Sequence, residues 1–406
     1  MREEDRTVEW NDDETDSQDD DFLLEGDDED EPNGVLLSEK ELIEKYASGQ
    51  LRIVRSTMDF TLHNLRQVIS DKSYLNISPS YQRRNRWDRR KRSLLIESFL
   101  LNIPVPPIYL YERDYNSYEV MDGLQRLQTI NDFIDNKFRL IGLEFWSELN
   151  GKKYDELPDV LRKGLLRRTL SAIVLLAESS RPEDSDVDVR MVLFRRLNTG
   201  GIQLNAQELR NALYPGHFND MLLRVSRSSI FTDIWGIPPR TIDEDENPPE
   251  RLLRNRLYRT MGDCEIVLRF FAIRETIVGD LKGGFRRLLD TCMVRHQKDS
   301  ITAVDSLEEL FNHCITGLRD IFEGQPFILP RTNRPSLPLF DALMVAYSLV
   351  SNTEEISKDY QAVQERLMTY AMDEDNYAIL TGKGNTTSAI KERVSLAKKI
   401  LVGDSQ

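Results

Sequence analysis

The residues best suited to chemistry lie in the segment Asp122-Gly-Leu-Gln-Arg126. The residues before it favour a strand, and the apolar positions from Leu124 onward recur at helical spacing. Gly123 permits a tight turn between the two elements. A strand that turns directly into a helix points backbone N–H groups outward, and the helix dipole favours an anion there. Asp122, Gln125 and Arg126 can therefore serve a phosphate, a metal-bound phosphate or a water molecule beside one.

The same segment also fits an ordinary strand–helix junction, in which Asp122 caps the helix and Arg126 pairs with a neighbouring carboxylate. A cation in the first turn of a helix opposes the helix dipole, so Arg126 needs a negative partner under either interpretation. The two interpretations differ in whether that partner is a ligand or a side chain.

A second candidate site is the basic block between Tyr81 and Arg92. Asp88 can cap a helix here, and four cations then fall in its first turn, where each costs roughly 0.3–1 kcal/mol at low salt. The block predicts a surface for the phosphates of a nucleotide or of DNA, with Trp87 available for stacking. The alternatives are a solvated face paired with local carboxylates and a Trp87 that belongs to the core. The cations of the block are Arg83, Arg84, Arg86, Arg89, Arg90, Lys91 and Arg92.

Separate blocks of the chain stand in one order: Tyr81–Asp88, Leu94–Ser98, Ile103–Leu110, Asp122–Arg126 and Phe194–Asn211. Together they resemble the family defined by the N-terminal domain of GmrSD-type modification-dependent restriction systems. That family looks like the ParB/sulfiredoxin fold, and its hallmark is Asp-Gly-Gln-Gln-Arg. The resemblance spans roughly residues 50–230. One position departs from it, because Leu124 stands where the family has the first Gln.

The resemblance implies a site that binds an NTP, with Mg²⁺ as a further expected cofactor, and that supports NTP hydrolysis. Losing the amide of the first Gln removes a donor and an acceptor, so binding is better supported than turnover. The loop Asn198–Gly201 can cradle phosphate or end a helix. We expect three groups of site residues: catalytic Asp122, Gln125 and Arg126; phosphate-binding Gly123, Tyr81, Gln82, Arg83, Arg86, Asn198, Gly200 and Gly201; and DNA-binding Arg84, Arg89, Arg90, Lys91 and Arg92.

Signals for other chemistry are weak. No His-Asn-His-type nuclease pattern surrounds the four histidines, and Asp280-Leu-Lys282 is only a degenerate PD-(D/E)xK fragment. The odd, scattered set Cys264, Cys292 and Cys314 favours a reducing compartment over disulfides. A zinc site built from Cys292, His296, His313 and Cys314 is conceivable, but the spacing fits no standard finger, so no metal site is predicted.

Composition divides the 406-residue chain unevenly. Residues 1–32 hold 17 acidic and 2 basic residues, whereas the remainder holds 52 of each, so the net charge of −15 belongs to the N-terminal segment. Such a segment cannot bury enough apolar surface to fold, and residues 1–34 are predicted to be a disordered acidic tail. No apolar run reaches 18 residues, the N-terminus is unlike a signal peptide, and we expect a cytoplasmic protein without a membrane partner.

Hydrophobic periodicity predicts an α+β fold: a small mixed sheet with packed helices over 35–235, a linker over 236–250, and a mainly α-helical domain over 251–406. The resemblance implies that the sheet is ParB/sulfiredoxin-like. Predicted strands lie at 52–56, 75–77, 108–112, 117–121 and 172–176. Predicted helices include 60–70, one capped by Asp88, one from Asp122 to about 136, 158–168 and 184–198. Capping boxes are expected at Asn205–Glu208 and Ser306–Glu309.

The candidate site residues, together with what the resemblance implies, predict a nucleotide-binding, DNA-interacting sensor or regulatory protein of a DNA-restriction or defence system. Weak NTP hydrolysis is compatible with the motif, and a separate protein partner would supply nuclease activity. Two alternatives stay open: a non-catalytic DNA-binding module with a degenerate nucleotide motif, and a nuclease whose active site in the C-terminal helices is unrecognised.

Overall fold

The computed structural model describes residues 38, 55–71, 73–77, 87–176, 205–242, 244, 248–279, 283–332, 334–382, 384 and 386–403. These residues fall into two compact units. The sheet unit comprises the described residues of 37–215 and 249–261, and the helical unit comprises those of 216–248 and 262–406. The mixed α+β class with a mostly helical C-terminal part is confirmed.

The sheet unit is built on five strands in the order β1-β5-β3-β4-β2. The pairs β1–β5 and β3–β4 are antiparallel, and β5–β3 and β4–β2 are parallel, so the sheet is mixed. Burial alternates along β5, with Leu170, Ala172 and Val174 facing the core. The strands are β1 Arg55–Thr61, β2 Leu75–Asn76, β3 Ile108–Asp114, β4 Ser117–Asp122 and β5 Thr169–Leu175.

Several helices of the sheet unit begin at short polar side chains that cap the first turn. Thr61 caps α1, Asp88 caps α2 by accepting from the N–H of Lys91 at 2.8 Å, and Asn205 forms a capping box with Glu208 at the start of α5. The predictions at Asp88 and Asn205 are thereby confirmed. The helices are α1 Leu62–Ser70, α2 Arg89–Leu100, α3 Leu124–Ile134, α4 Asp159–Leu166, α5 Ala206–Leu213, and the short α8 Glu250–Arg254 and α9 Arg256–Arg259.

One core joins the sheet to α1–α4. Phe99 of α2 and Leu127 and Phe133 of α3 are buried among strand residues such as Ile108 and Leu110. At about 25 cal/mol per Å² of apolar area, packing of this kind is the main force that fixes α3 against the sheet. The end of β4 and the start of α3 are therefore held on a rigid support.

The helical unit has ten helices of six to 21 residues within the described part of the chain. They are α6 His217–Val225, α7 Ser229–Ile234, α10 Gly262–Gly279, α11 Phe285–His296, α12 Ile301–Ile321, α13 Leu337–Ser348, α14 Thr353–Lys358, α15 Tyr360–Met372, α16 Glu374–Thr381 and α17 Thr387–Val402. The prediction that a Ser306 box opens a helix is wrong. Ser300 caps α12, whose first turn lies earlier, and the Ser306 hydroxyl donates to the carbonyl of Thr302 within the helix.

The described residues of 236–250 do not all behave as a linker. Ile237 is buried, and the buried carboxylate of Glu244 accepts two hydrogen bonds from Arg227 of the same unit. Removing one partner of a buried ion pair costs about 3–5 kcal/mol because it leaves an uncompensated charge, so Glu244 ties its segment to the Arg227 side chain between α6 and α7. The unit boundary accordingly lies near residue 215, whereas the pattern of prolines had indicated 235.

None of the helices in the described ranges combines the length and the apolar character that crossing a bilayer demands. The three cysteines are all buried and form no disulfide.

Candidate functional site

The turn between β4 and α3 depends on Gly123. Its backbone is left-handed, with φ of +97°, and it occupies the N-cap position of α3. A Cβ built on it would lie 2.3 Å from Cγ2 of Ile108, so a side chain is excluded by contact as well as by conformation. Gly123 therefore allows the tight turn between β4 and α3 that the sequence predicts, and the structure places this turn against Ile108 of β3.

The first turn of α3 has no side-chain cap among the described residues. Asp122 does not cap the helix, in contrast to one of the two interpretations of the sequence. The N–H groups of Arg126 and Leu127 donate to the carbonyl of Gly123, and the amides that precede them lie at the positive end of the helix dipole. The turn thus has the backbone geometry that suits an anion.

Asp122 and Arg126 form an ion pair across this turn. Nη2 of Arg126 donates to Oδ2 of Asp122 at 2.5 Å, and Nη1 donates to the carbonyl of Pro106 at 3.0 Å. The Arg126 side chain is 12% exposed and that of Asp122 is 30% exposed. The pair gives Arg126 a carboxylate partner, as the interpretation of the segment as an ordinary strand–helix junction predicted, and the Pro106 carbonyl fixes the direction of the guanidinium.

Gln125 connects the turn to the basic block. Its Oε1 accepts a hydrogen bond from the backbone N–H of Trp87 at 3.3 Å. The Trp87 ring is half-buried against the core of the sheet unit, and Nζ of Lys91 lies 4.9 Å from its centre. Two motifs that are 38 residues apart in sequence are therefore neighbours, as the candidate site requires.

The first turn of α2 presents three exposed cations, Arg89, Arg90 and Lys91. Arg90 lies 3.7 Å from Glu144, but its side chain is 67% exposed, so this surface pair contributes little stability. Arg92 differs from the other three, because its guanidinium donates to Asp132 at 2.6 Å and packs on the ring of Phe138. Arg92 thus joins α2 to α3, while the other three cations face solvent.

Leu124, the departure from the hallmark, is half-buried and packs against the core of the sheet unit. An apolar side chain is well accommodated there, and it offers no amide to the turn. The remaining predicted site residues, Tyr81, Gln82, Arg83, Arg84, Arg86, Asn198, Gly200 and Gly201, lie outside the described residues. The same is true of the Asp280–Lys282 fragment.

Two contacts of the site carry no sequence signal. The Pro106 carbonyl reaches Arg126 only because β3 packs beside α3. Glu97 is 3% exposed and accepts hydrogen bonds from the N–H groups of Glu144, Phe145 and Trp146, and it thereby holds a loop beside the basic turn of α2. Burial raises the pKa of Glu97, but the three N–H donors lower it by more, so the net pKa is below its ordinary value.

A groove of about 760 Å³ lies at the other end of α3, bordered by Arg66, Asp135 and Tyr154 among others. Because α3 has 11 residues, this groove is roughly 15 Å along the helix from Gly123. It does not include Asp122, Gln125 or Arg126. The candidate chemistry and the groove are therefore separate features of the sheet unit.

Residues 63–215 match the family model described as GmrSD restriction endonuclease, N-terminal domain. No curated protein and no solved structure matches the chain. The match covers β2–β5, the Asp122–Arg126 turn and the basic start of α2, which are the features that carry the resemblance in the sequence. Residues 63–215 are therefore similar to the N-terminal domain of GmrSD restriction endonucleases.

Proposed function

We propose that the sheet unit binds an NTP at the turn between β4 and α3, and that the chain acts as a nucleotide-responsive, DNA-interacting component of a restriction or defence system. The observation that carries the proposal is the first turn of α3, which no side chain of the described residues caps and which has Arg126 inside it and Gly123 at its N-cap. An anion is the partner that such a turn favours, and the family supplies the connection with DNA restriction.

The residues of the turn fit a phosphate with a divalent cation. Two of the five N–H donors of Arg126 are directed to Asp122 and Pro106, and a phosphate oxygen offers a stronger, charge-assisted acceptor than a carbonyl. When Arg126 turns to phosphate, the carboxylate of Asp122 is released from its pair. Carboxylate oxygen is a ligand that Mg²⁺ prefers, so Asp122 would then hold the cation, which would offset the charge of the phosphates.

The exposed cations at the start of α2 support the DNA-interacting part of the proposal. Arg89, Arg90 and Lys91 sit where the helix dipole disfavours them, and an external polyanion relieves that cost. Their neighbour Trp87 bonds to Gln125 of the turn, so a ligand at one motif can influence the other. This arrangement suits a regulator in which nucleotide state and nucleic-acid contact are linked.

The test is calorimetry of the full chain with each common NTP in the presence of Mg²⁺, followed by a hydrolysis assay with and without DNA. We expect one bound nucleotide, and Arg126→Ala should weaken it by about 1.5–3 kcal/mol, the range for a hydrogen bond to a charged group. Arg139→Ala is the matched control, because Arg139 makes an exposed pair with Glu156 in the same unit but lies away from the turn.

Arg126→Ala also removes a partly buried ion pair, so its folding has to be verified by thermal unfolding before affinity is compared. Equal affinity of a folded Arg126→Ala variant and the parent protein would show that Arg126 is structural only. DNA binding without binding of any NTP would favour the second function, a non-catalytic DNA-binding module. The observation that favours this alternative is Leu124, an apolar residue at a position of the motif where the family has an amide.

A further inference from the structure

The helical unit contains a cluster of ligating side chains that the proposed nucleotide site does not use. Glu275 of α10 and Cys292 and His296 of α11 place a carboxylate oxygen, a thiol sulfur and an imidazole nitrogen within 4.8 Å of one another. Cys292 and His296 are four residues apart, so they project from one face of α11. The third side chain comes from the neighbouring helix, and the cluster therefore bridges α10 and α11.

The surroundings of His296 orient its ring. Nδ1 lies 2.6 Å from Oδ2 of Asp299, and Nε2 lies 2.5 Å from Oε1 of Glu275. The ring of Phe218 stacks on the imidazole at 4.6 Å between centroids. A carboxylate on the far nitrogen of a histidine is the usual support of a metal ligand, since it fixes the tautomer that leaves the other nitrogen able to bind. Asp299 is in that position.

Glu275 is supported in the same way. Its Oε2 accepts a hydrogen bond from Nη1 of Arg295 at 2.8 Å, which leaves Oε1 directed at the cluster. Cys292 is 1% exposed, whereas the side chains of Glu275 and His296 are 16% and 13% exposed. The carboxylate and the imidazole thus form the solvent side of the cluster, through which a small ion can enter, and the sulfur forms its inner wall.

We propose that Glu275, Cys292 and His296 form a binding site for a zinc-like divalent cation, with Asp299 and Arg295 holding two of the ligands in place. Sulfur, nitrogen and carboxylate oxygen are the ligand types of Zn²⁺, and a set of three protein ligands leaves one tetrahedral position for water. A thiolate and a carboxylate together balance the charge of a divalent ion. This inference does not rest on the proposed nucleotide site.

The ligand distances define what binding must change. Zn²⁺ at about 2.0–2.3 Å from each ligand sets neighbouring ligand atoms roughly 3.3–3.8 Å apart. The distance between Nε2 of His296 and Oε1 of Glu275, now 2.5 Å, has to increase by about 1 Å. The Cys292 sulfur lies within 4.8 Å of both atoms and has to move toward them by about 1 Å at most. Side-chain rotations of this size leave both helices in position.

The competing arrangement is a metal-free clamp in which an imidazolium bridges the two carboxylates. Burial lowers the pKa of His296, but its hydrogen bonds to Glu275 and Asp299 raise it by more, so the net pKa is above its ordinary value. A clamp and a metal site make different demands on Cys292. The metal site requires the sulfur as a ligand and the clamp does not, and the test is built on that difference.

The experiment uses the full chain, stripped with a chelator under reducing conditions and titrated with Co²⁺ and then Zn²⁺. We expect one Co²⁺ per chain, a sulfur-to-cobalt charge-transfer band that shows the thiolate bond, displacement of that band by Zn²⁺, and a higher melting temperature with Zn²⁺ than without it. Cys292→Ala should abolish the band, and Asp299→Asn should lower Zn²⁺ affinity by about 10–100-fold.

Cys314→Ala is the matched control, because Cys314 is another fully buried cysteine of the helical unit and its pKa is raised to about 12 by burial. It should keep the band. If Cys292→Ala fails to fold, Glu275→Gln and Asp299→Asn are titrated with Co²⁺ and Zn²⁺ in its place. The proposal is overturned if Co²⁺ gives no charge-transfer band, if the band survives in Cys292→Ala, or if Glu275→Gln changes only the stability of the metal-free protein.

Discussion

Gly123 is the residue on which the geometry of the candidate site depends. Two independent constraints act on it: a left-handed backbone with φ of +97°, and the closeness of Ile108 to the position of a Cβ. The first constraint disfavours any side chain by about 1–2 kcal/mol. The second adds overpacking against β3, which cannot move without disturbing the centre of the sheet.

The first prediction separates these two constraints. Gly123→Ala should lower the free energy of unfolding of the sheet unit by about 2–5 kcal/mol, the sum of the conformational and overpacking costs. Gly151→Ala is the control, because Gly151 has φ of +82° but nothing within 4 Å of a Cβ, and it should cost only about 1–2 kcal/mol. Denaturant titration of both variants measures the difference. Equal losses would show that Ile108 moves aside and that the turn is more plastic than its packing indicates.

At this scale, local signals were predictable and tertiary contacts were not. The Gly123 turn, the Asp88 cap and the Asn205 capping box all depend on residues within four positions of each other, and all three follow from the sequence. The contact of Arg126 with Pro106 and that of Trp87 with Gln125 join residues 20 and 38 positions apart. Such contacts depend on how β3 and α2 pack, which residue spacing alone does not specify.

Among the elements, the loop between α3 and α4 is held to α2 by side chains rather than by strand pairing. Oγ of Ser93 accepts from the N–H of Ile141, and the carboxylate of Glu97 accepts from three successive N–H groups. A single buried carboxylate thus satisfies donors that would otherwise be buried without partners. The loop is thereby fixed next to the basic turn of α2 and leaves Phe145 72% exposed.

The second prediction concerns Glu97. Glu97→Gln should destabilise the sheet unit by about 1.5–3 kcal/mol at pH 7, because the neutral amide accepts more weakly and sets its own N–H group against backbone donors. Since folding holds the pKa of Glu97 below its ordinary value of 4.5, the stability it contributes is complete above that pH and is lost as the pH falls through the folded-state pKa. The gap between parent and variant should therefore close in acid.

Unfolding of both proteins between pH 7 and pH 3 provides the measurement, with Glu148→Gln as control because Glu148 is an exposed carboxylate in the same part of the chain. The control should stay within about 0.5 kcal/mol of the parent. A gap between Glu97→Gln and the parent that is the same at every pH would mean that the loss comes from packing and not from the ionised carboxylate.

The helices show the same division between local and distant signals. The order of strands and helices over the described part of 55–176 follows from periodicity, because strands of alternating burial and helices with one apolar face leave a pattern in the sequence. The start of α12 does not, because Ser300 and Ser306 both precede apolar runs and only Ser300 has the extended backbone of a cap. No pattern in the sequence indicates that Glu275 lies beside Cys292 and His296, since that contact depends on how α10 and α11 pack.

For the whole molecule, the charge distribution is the feature that composition exposes most clearly. Residues 1–32 carry a net charge of −15, and the net charge of the rest of the chain is zero. Against that neutral remainder, the start of α2 presents Arg89, Arg90 and Lys91 to solvent. The tethered acidic segment is therefore expected to compete with DNA for the exposed cationic turn.

The final prediction is that deleting residues 1–34 tightens DNA binding at low salt. A tethered segment of this length holds its charges at an effective concentration on the order of millimolar near its own domain, so removing it removes an internal competitor. The attraction is between exposed charges, which are screened over a Debye length of about 10 Å at 0.1 M salt, so the gain should vanish as salt rises. DNA titration of both chains at low and moderate salt is the measurement.

The same titration locates the competition. When Arg89→Ala and Lys91→Ala are both present, deleting residues 1–34 should increase DNA affinity much less. The acidic segment then has lost the two cations that it is proposed to block, in the full chain and in the shortened chain alike. Lys163→Ala is the control, since Lys163 is a 75% exposed cation of the sheet unit that pairs with Asp159 on α4. It should leave the gain unchanged. Superimposable binding curves for the full and shortened chains at low salt would leave the acidic segment with a role in solubility alone, because a competitor that touches the domain has to weaken DNA binding when screening is least.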